Sequence, residues 1–357
     1  MQRNSCLFLC AVLAAACAAP ARAPQRGPEL DPAILAETAP AVAWQRIEVQ
    51  SMATVFELVL PGDASATAAA QAAVAAILAV ESSANEWRDD SPLAAVSRAA
   101  GGDWLPVSAD LWDLLALSRD LAERTGGAFD PTWAALWGLW DFQPGAAPRL
   151  PSPEQVAQRV ARIGWRDLQL RREATAVRLA RPQMVLGLGG IAKGWALDRA
   201  AAALRARGQG NFLLSAGGQV LAGGRQGDQP WRVGLRHPRF GMDPQAPAVW
   251  ASLVLHDGES LATSADSERG WVLDGVRYHH ILDPRTGWPA GHGRRDWPWS
   301  VAVLARGGAV ADALSTAAMV LGPDAAARLE PLWLAAFTLG PQGAARHGSS
   351  ADRLQVQ

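Results

Sequence analysis

The chain has 357 residues, of which 49% are hydrophobic and 19% charged, enough to bury a large core in one or two domains. Its 33 basic and 34 acidic residues nearly cancel, and no basic block is present to grip a phosphate backbone, which argues against nucleic-acid binding. All three cysteines, Cys6, Cys10 and Cys17, fall in the N-terminal segment, so the folded part has no disulfide, thiolate nucleophile or Cys-bound metal.

Residues 1–23 read as an export signal: Arg3, an apolar run from Cys6 to Ala16 too short to span a bilayer, then small residues to Ala21-Arg22-Ala23. Leu13-Ala14-Ala15-Ala16-Cys17 resembles a bacterial lipobox with Ala14 where the pattern prefers leucine; acylation at Cys17 and ordinary cleavage further on both stay open. The folded part is expected in the periplasm, touching a membrane only through such an anchor. Residues 24–43, rich in Pro and Ala, read as a linker, 44–345 as the folded domain and 346–357 as a C-terminal tail.

Trp44 to Leu60 alternates as a strand or a pair of strands interrupted at Ser51-Met52-Ala53-Thr54. Ser65 to Ser83 is an alanine-rich amphipathic helix, broken by Asn85 to Pro92. Ser108 caps a helix that Gly126-Gly127 ends, and Ser152-Pro153-Glu154-Gln155 carries a capping box. Leu168 to Ala180 reads as a hairpin.

Gln183 to Gly194 has the composition of a strand feeding a helix start through a glycine turn, with the helix running from Trp195 to Gly208. Such a turn suits a phosphate, which unpaired helix-start amides and Lys193 would bind, or serves close packing only. It is neither a Walker A loop nor Gly-x-Gly-x-x-Gly. Short strands follow around Ala216-Gly217-Gly218, then Trp231 to Arg236 and Trp250 to His256. Asp274-Gly275 marks a tight hairpin. A strand (Ser300 to Ala305), two helices (Ala309 to Leu321, Asp324 to Leu329) and a strand (Trp333 to Leu339) close the chain. Strands and helices do not strictly alternate, which favours an α+β fold of mixed, largely antiparallel sheets with packed helices.

Three clusters could carry chemistry: Leu261-Ala262-Thr263-Ser264, the run from Tyr278-His279-His280 to Gly287, and Ala311-Asp312 to Thr316. Paired histidines at a strand end are often structural, and Asp-Pro-Arg-Thr-Gly is an ordinary turn. Asp312 and Thr316, four apart on one helical face, offer hard oxygen ligands suited to Mg²⁺, which would complete its shell with water and a pyrophosphate.

In order, Gly-Ala-Phe-Asp-Pro-Thr, Leu-Gly-Gly-Ile-Ala-Lys-Gly-Trp-Ala-Leu-Asp, Ala-Gly-Gly, Ala-Thr-Ser, His-His-Ile-Leu-Asp-Pro-Arg-Thr-Gly-Trp-Pro and Ala-Asp-Ala-Leu-Ser-Thr-Ala resemble the ApbE family of FAD:protein FMN transferases, over about residues 45–340. The resemblance implies Mg²⁺-dependent transfer of FMN from FAD to a threonine hydroxyl of an exported or membrane redox protein, releasing AMP. An FAD pyrophosphatase and a silent flavin-binding lipoprotein are the alternatives. It also implies metal ligands at Asp312, Thr316 and the Gly190 carbonyl; FAD contacts at Met52, Trp87, Ala128, Phe129, Asp130, Lys193, Thr263 and Ile281; and His280 as the base for a Ser/Thr acceptor. The main departure is Gly187, where the family usually has Asp.

Overall fold

The computed structural model describes residues 43–356. The expected export signal, the lipobox at Cys17 and the linker through residue 42 lie outside the described residues.

A hairpin opens the fold, β1 (Trp44–Ser51) against β2 (Thr54–Pro61), turning at Met52 and Ala53 with φ of 49° and 58°. Positive φ at both turn residues matches the strand twist and explains the expected interruption. Next comes α1 (Ala64–Ala84), capped by Asp63, whose carboxylate accepts from the Ser65 and Ala66 amides. By composition alone it could cross a membrane, yet Ala66, Ala69, Ala73, Ile77 and Val80 are buried in the protein core. Then come α2 (Pro92–Arg98), β3 (Leu105–Pro106), α3 (Ala109–Arg124, capped by Ser108) and α4 (Pro153–Val160), where the Ser152/Gln155 capping box forms as expected.

The hairpin of β4 (Leu168–Arg171) and β5 (Ala176–Leu179) joins β3 in a small sheet. After α5 (Ala192–Arg205) come β6 (Phe212–Ala216), β7 (Gln219–Gly223), β8 (Trp231–Arg236), β9 (Val249–Leu255) and β10 (Glu259–Ala265). The Asp274-Gly275 turn joins β11 (Gly270–Leu273) to β12 (Val276–His279), a two-stranded sheet of its own. The remaining elements are β13 (Ser300–Arg306), α6 (Gly308–Leu321), α7 (Ala325–Leu329), β14 (Ala335–Gly340), β15 (Gly343–His347) and β16 (Leu354–Val356).

Eight strands form one antiparallel sheet in the order β1-β2-β6-β7-β10-β13-β14-β15. Alternation along them divides the core. Leu214, Val301 and Val303 face α1, α3, α5 and α6; Leu213, Ala302 and Leu304 face the three-stranded sheet β16-β9-β8. The result is a helix layer, a central sheet and a covering sheet, an α+β fold.

Two local expectations change. The segment from 346 is not a tail: β15 ends at His347, β16 pairs with β9, and Arg353 bonds the buried Glu259. Residues 183–190 form no strand beyond an isolated bridge between Val185 and Trp133, because their amides go elsewhere: Leu186 N–H to Ser97 Oγ at 3.0 Å and Gly187 N–H to the Pro131 carbonyl at 2.8 Å.

Candidate donor and metal site

The site forms where α5 and α6 start side by side. A Cβ on Gly194 would lie 2.2 Å from the Gly308 carbonyl oxygen, so only glycine permits the approach. The two helices exchange carboxylates across it. Asp198 of α5 accepts from the Gly308 and Ala309 amides at 2.6 and 2.9 Å, and Asp312 of α6 accepts from the Gly194 amide at 3.2 Å. Each acid sits at the other helix's positive end. The Ala192 amide meanwhile bonds the Leu188 carbonyl at 2.8 Å. The amides of Ala192 and Gly194 are thus already paired and are not free donors for a phosphate.

What gathers at the paired helix starts is a set of side chains and one carbonyl-bearing turn. Lys193 Nζ lies 3.5 Å from Asp312 Oδ2 and donates to the Gly189 carbonyl at 2.9 Å. A Cβ on Gly190 would lie 3.1 Å from Thr316 Oγ1 and 3.6 Å from the Phe129 ring, so the turn, the hydroxyl and the aromatic edge are neighbours. Among the described residues no three His, Cys, Asp or Glu side chains converge on a metal position. One carboxylate, one hydroxyl and one backbone carbonyl nonetheless fit Mg²⁺, which keeps several waters and draws ligands from substrate phosphates.

The other expected residues divide. Gly217, next to the β1–β2 turn, brings Lys193 and Thr54 together: a Cβ there would lie 3.4 Å from Lys193 Cδ and from Thr54 Oγ1. Met52 in that turn gives its amide to Glu81 at 2.9 Å. Trp87 is 71% exposed and stacks on Trp137 with centroids 4.3 Å apart, an open aromatic platform. Thr263 is exposed on β10, and the next residue, Ser264, meets Ser315 of α6 at 2.9 Å between hydroxyls, beside Thr316. Ala128 and Phe129 are buried in the core. Asp130 turns inward: its carboxylate accepts from the Thr132 amide and hydroxyl and the Trp165 amide, so its side chain fixes the loop, and burial raises its pKa despite these donors.

The two histidines separate at the end of β12, where His279 is the last strand residue and His280 lies just beyond it. His279 is buried, and Ile281, also buried, donates its amide to His279 Nδ1 at 3.3 Å. The half-buried His280 has Nδ1 3.3 Å from the Arg269 carbonyl. Burial first, then His279, Arg269 and Lys193, hold its pKa down to about 4. Asp283 to Gly287 is a turn, as its composition suggests, with Arg285 forked on the Asp283 carboxylate.

One residue of the site has no motif to announce it. Glu86, half-buried in the bend between α1 and α2, accepts from the Leu188 amide, and burial pushes its carboxyl up to about 7 although the nearby Leu188 and Gly189 amides and Lys193 oppose the shift. Its only signal in the sequence is adjacency to Trp87.

The ApbE family profile matches residues 52–333. An FAD:protein FMN transferase of Treponema pallidum is 37% identical over 249 residues, covering 66% of this chain and 66% of the relative. For the protein of that name from Rhodobacter capsulatus the values are 36% over 225 residues, 63% and 41%; for that of Escherichia coli K12, 30% over 286 residues, 78% and 79%. The chain therefore spans just under two thirds of the Treponema relative's length and under half of the Rhodobacter one's. Among solved structures, the ApbE protein of Thermotoga maritima superposes with a TM-score of 0.76 at 28% identity, over 87% of this chain and 99% of that one. The flavin transferase ApbE from Vibrio cholerae gives 0.74 at 26%, over 87% and 99%.

Proposed function

This chain belongs to the ApbE family, and on that premise we propose that it transfers FMN from FAD to a threonine or serine hydroxyl of a protein acceptor and releases AMP. The observation that carries the reading is the convergence of Lys193, Asp312, Thr316 and the Gly190 turn at the paired helix starts. Phosphoryl transfer asks a protein chiefly for charge neutralisation and in-line positioning, and this set supplies both. The acceptor oxygen attacks the phosphorus on the FMN side, the bond from that phosphorus to the bridging oxygen breaks, and AMP leaves with that oxygen. The acceptor's proton passes to His280, whose Nδ1–H donates to the Arg269 carbonyl and leaves Nε2 with a lone pair. Lys193 meets the pyrophosphate charge, and the exposed Trp87 offers its face to a ring of the donor.

Mg²⁺ held by Asp312, Thr316 and the Gly190 carbonyl would neutralise the pyrophosphate oxygens. The N-terminal pattern supports an exported enzyme, with acylation at Cys17 and ordinary cleavage both open, whose acceptor is an exported or membrane redox protein. The test is to incubate the protein with FAD and Mg²⁺, with and without a threonine-bearing acceptor domain, following AMP and in-gel flavin fluorescence. AMP with a labelled acceptor is expected. AMP without label would indicate hydrolysis, and bound FAD without AMP would end the catalytic reading. Asp312→Ala is expected to abolish Mg²⁺-dependent AMP release, and retained turnover would remove Asp312 as a ligand.

A further inference from the structure

At Gly187 the glycine turn lacks the acidic residue of the family pattern, and the structure has no room for one: a Cβ there would fall 2.8 Å from both the Ala134 methyl and Trp133 Nε1. A carboxylate reaches the turn from another element instead. Glu86 accepts from the amide of Leu188, the residue that follows Gly187, and its other carboxylate oxygen lies beside Gly189, where a Cβ would be 3.6 Å from it. On the carbonyl side, Trp133 Nε1 donates to the Gly187 oxygen at 3.0 Å and Lys193 Nζ to the Gly189 oxygen at 2.9 Å. Side chains from three separate segments thus hold a turn that no strand ladder supports.

We propose that Glu86 is a positioning residue for the donor site, holding the glycine turn through the Leu188 amide so that the Gly190 carbonyl faces the metal position beside the pyrophosphate, and supplying the carboxylate that Gly187 cannot carry. The identity of that ligand rests on the flavin-transfer reading. Glu86 directly precedes Trp87, which stacks on Trp137, and Trp137 meets Trp133 edge-on with centroids 6.3 Å apart. One short segment therefore fixes both an aromatic platform and the phosphate turn. The spacing between them is set by the fold before any ligand arrives.

Two readouts on Glu86→Ala and Glu86→Gln test this without needing catalysis. Hydrogen exchange of the ligand-free protein over residues 185–195 is expected to accelerate in E86A, and less in E86Q, whose amide oxygen still accepts one bond. FAD binding, followed by flavin fluorescence, is expected to weaken about tenfold in E86A when Mg²⁺ is present and to change less than about twofold without it, because Glu86 orients a backbone ligand and does not touch the flavin. Wild-type exchange and affinity in E86A would overturn the proposal, as would an equal loss with and without Mg²⁺. If E86A does not fold, E86Q decides by the same criteria. Wild-type protein that binds FAD without releasing AMP sinks the transfer reading alone, and wild-type protein that binds no FAD sinks both.

Discussion

His279 and His280 share a strand end and divide its work. His279 accepts the Ile281 amide on Nδ1 and donates from Nε2 to the Ala290 carbonyl at 3.0 Å, so both nitrogens are occupied in holding the loop. His280 spends only Nδ1, and its pKa near 4 keeps it neutral at physiological pH. Its histidinium forms only as the pH falls toward 4, so the acid limb of kcat/KM for transfer is expected near pH 4 and not near the ordinary 6.5. His280→Asn is expected to slow transfer by about a hundredfold or more while FAD affinity holds. An acid limb near 6.5, or an unchanged rate in the variant, would remove His280 as the base. The Asp274-Gly275 turn sets the register that ends β12 at His279 and leaves His280 as the first residue past the strand.

At the scale of elements, the site depends on two helix starts touching backbone to backbone. The reciprocal caps from Asp198 and Asp312 and the bare Gly194 and Gly308 make α5 and α6 one unit, with Lys193 and Asp312 on its rim. Gly194→Ala is expected to push the helices apart, cost about 3 kcal/mol in urea unfolding and weaken Mg²⁺-linked FAD binding. Wild-type values in both measurements would show that the contact yields freely. Caps and two-residue turns were legible in the sequence because their signals are local: Ser152 with Gln155, and Asp274 with Gly275, form as read. The apolar run that opens at Gln183 reads as a strand because its pattern does not reveal that Ser97, Pro131 and Glu86, remote in sequence, take the amides of Leu186, Gly187 and Leu188. The same remoteness hid Glu86.

Across the whole molecule, the covering sheet is completed by the last residues of the chain. Arg353 forks on Glu259 with contacts of 3.0 and 2.6 Å, and the Glu259 side chain is 4% exposed. Removing the arginine leaves a buried carboxylate with only the His256 amide and imidazole beside it. Arg353→Ala is therefore expected to cost about 3 kcal/mol in denaturant unfolding, and a loss near zero would mean that water reaches Glu259. No composition signal marked residues 346–356 as structural, since β16 is short and finds its place only against β9.

The hairpin of β11 and β12 stands apart from the eight-stranded sheet, with Val272 and Val276 exposed, and its far end leads directly into His280. On the flavin-transfer reading, the groups proposed to meet the donor's phosphates sit instead on α5 and α6, whose inner faces are buried. The proposed base and the proposed phosphate grip thus ride on separate elements, so a change confined to the hairpin would alter proton acceptance and leave nucleotide binding in place.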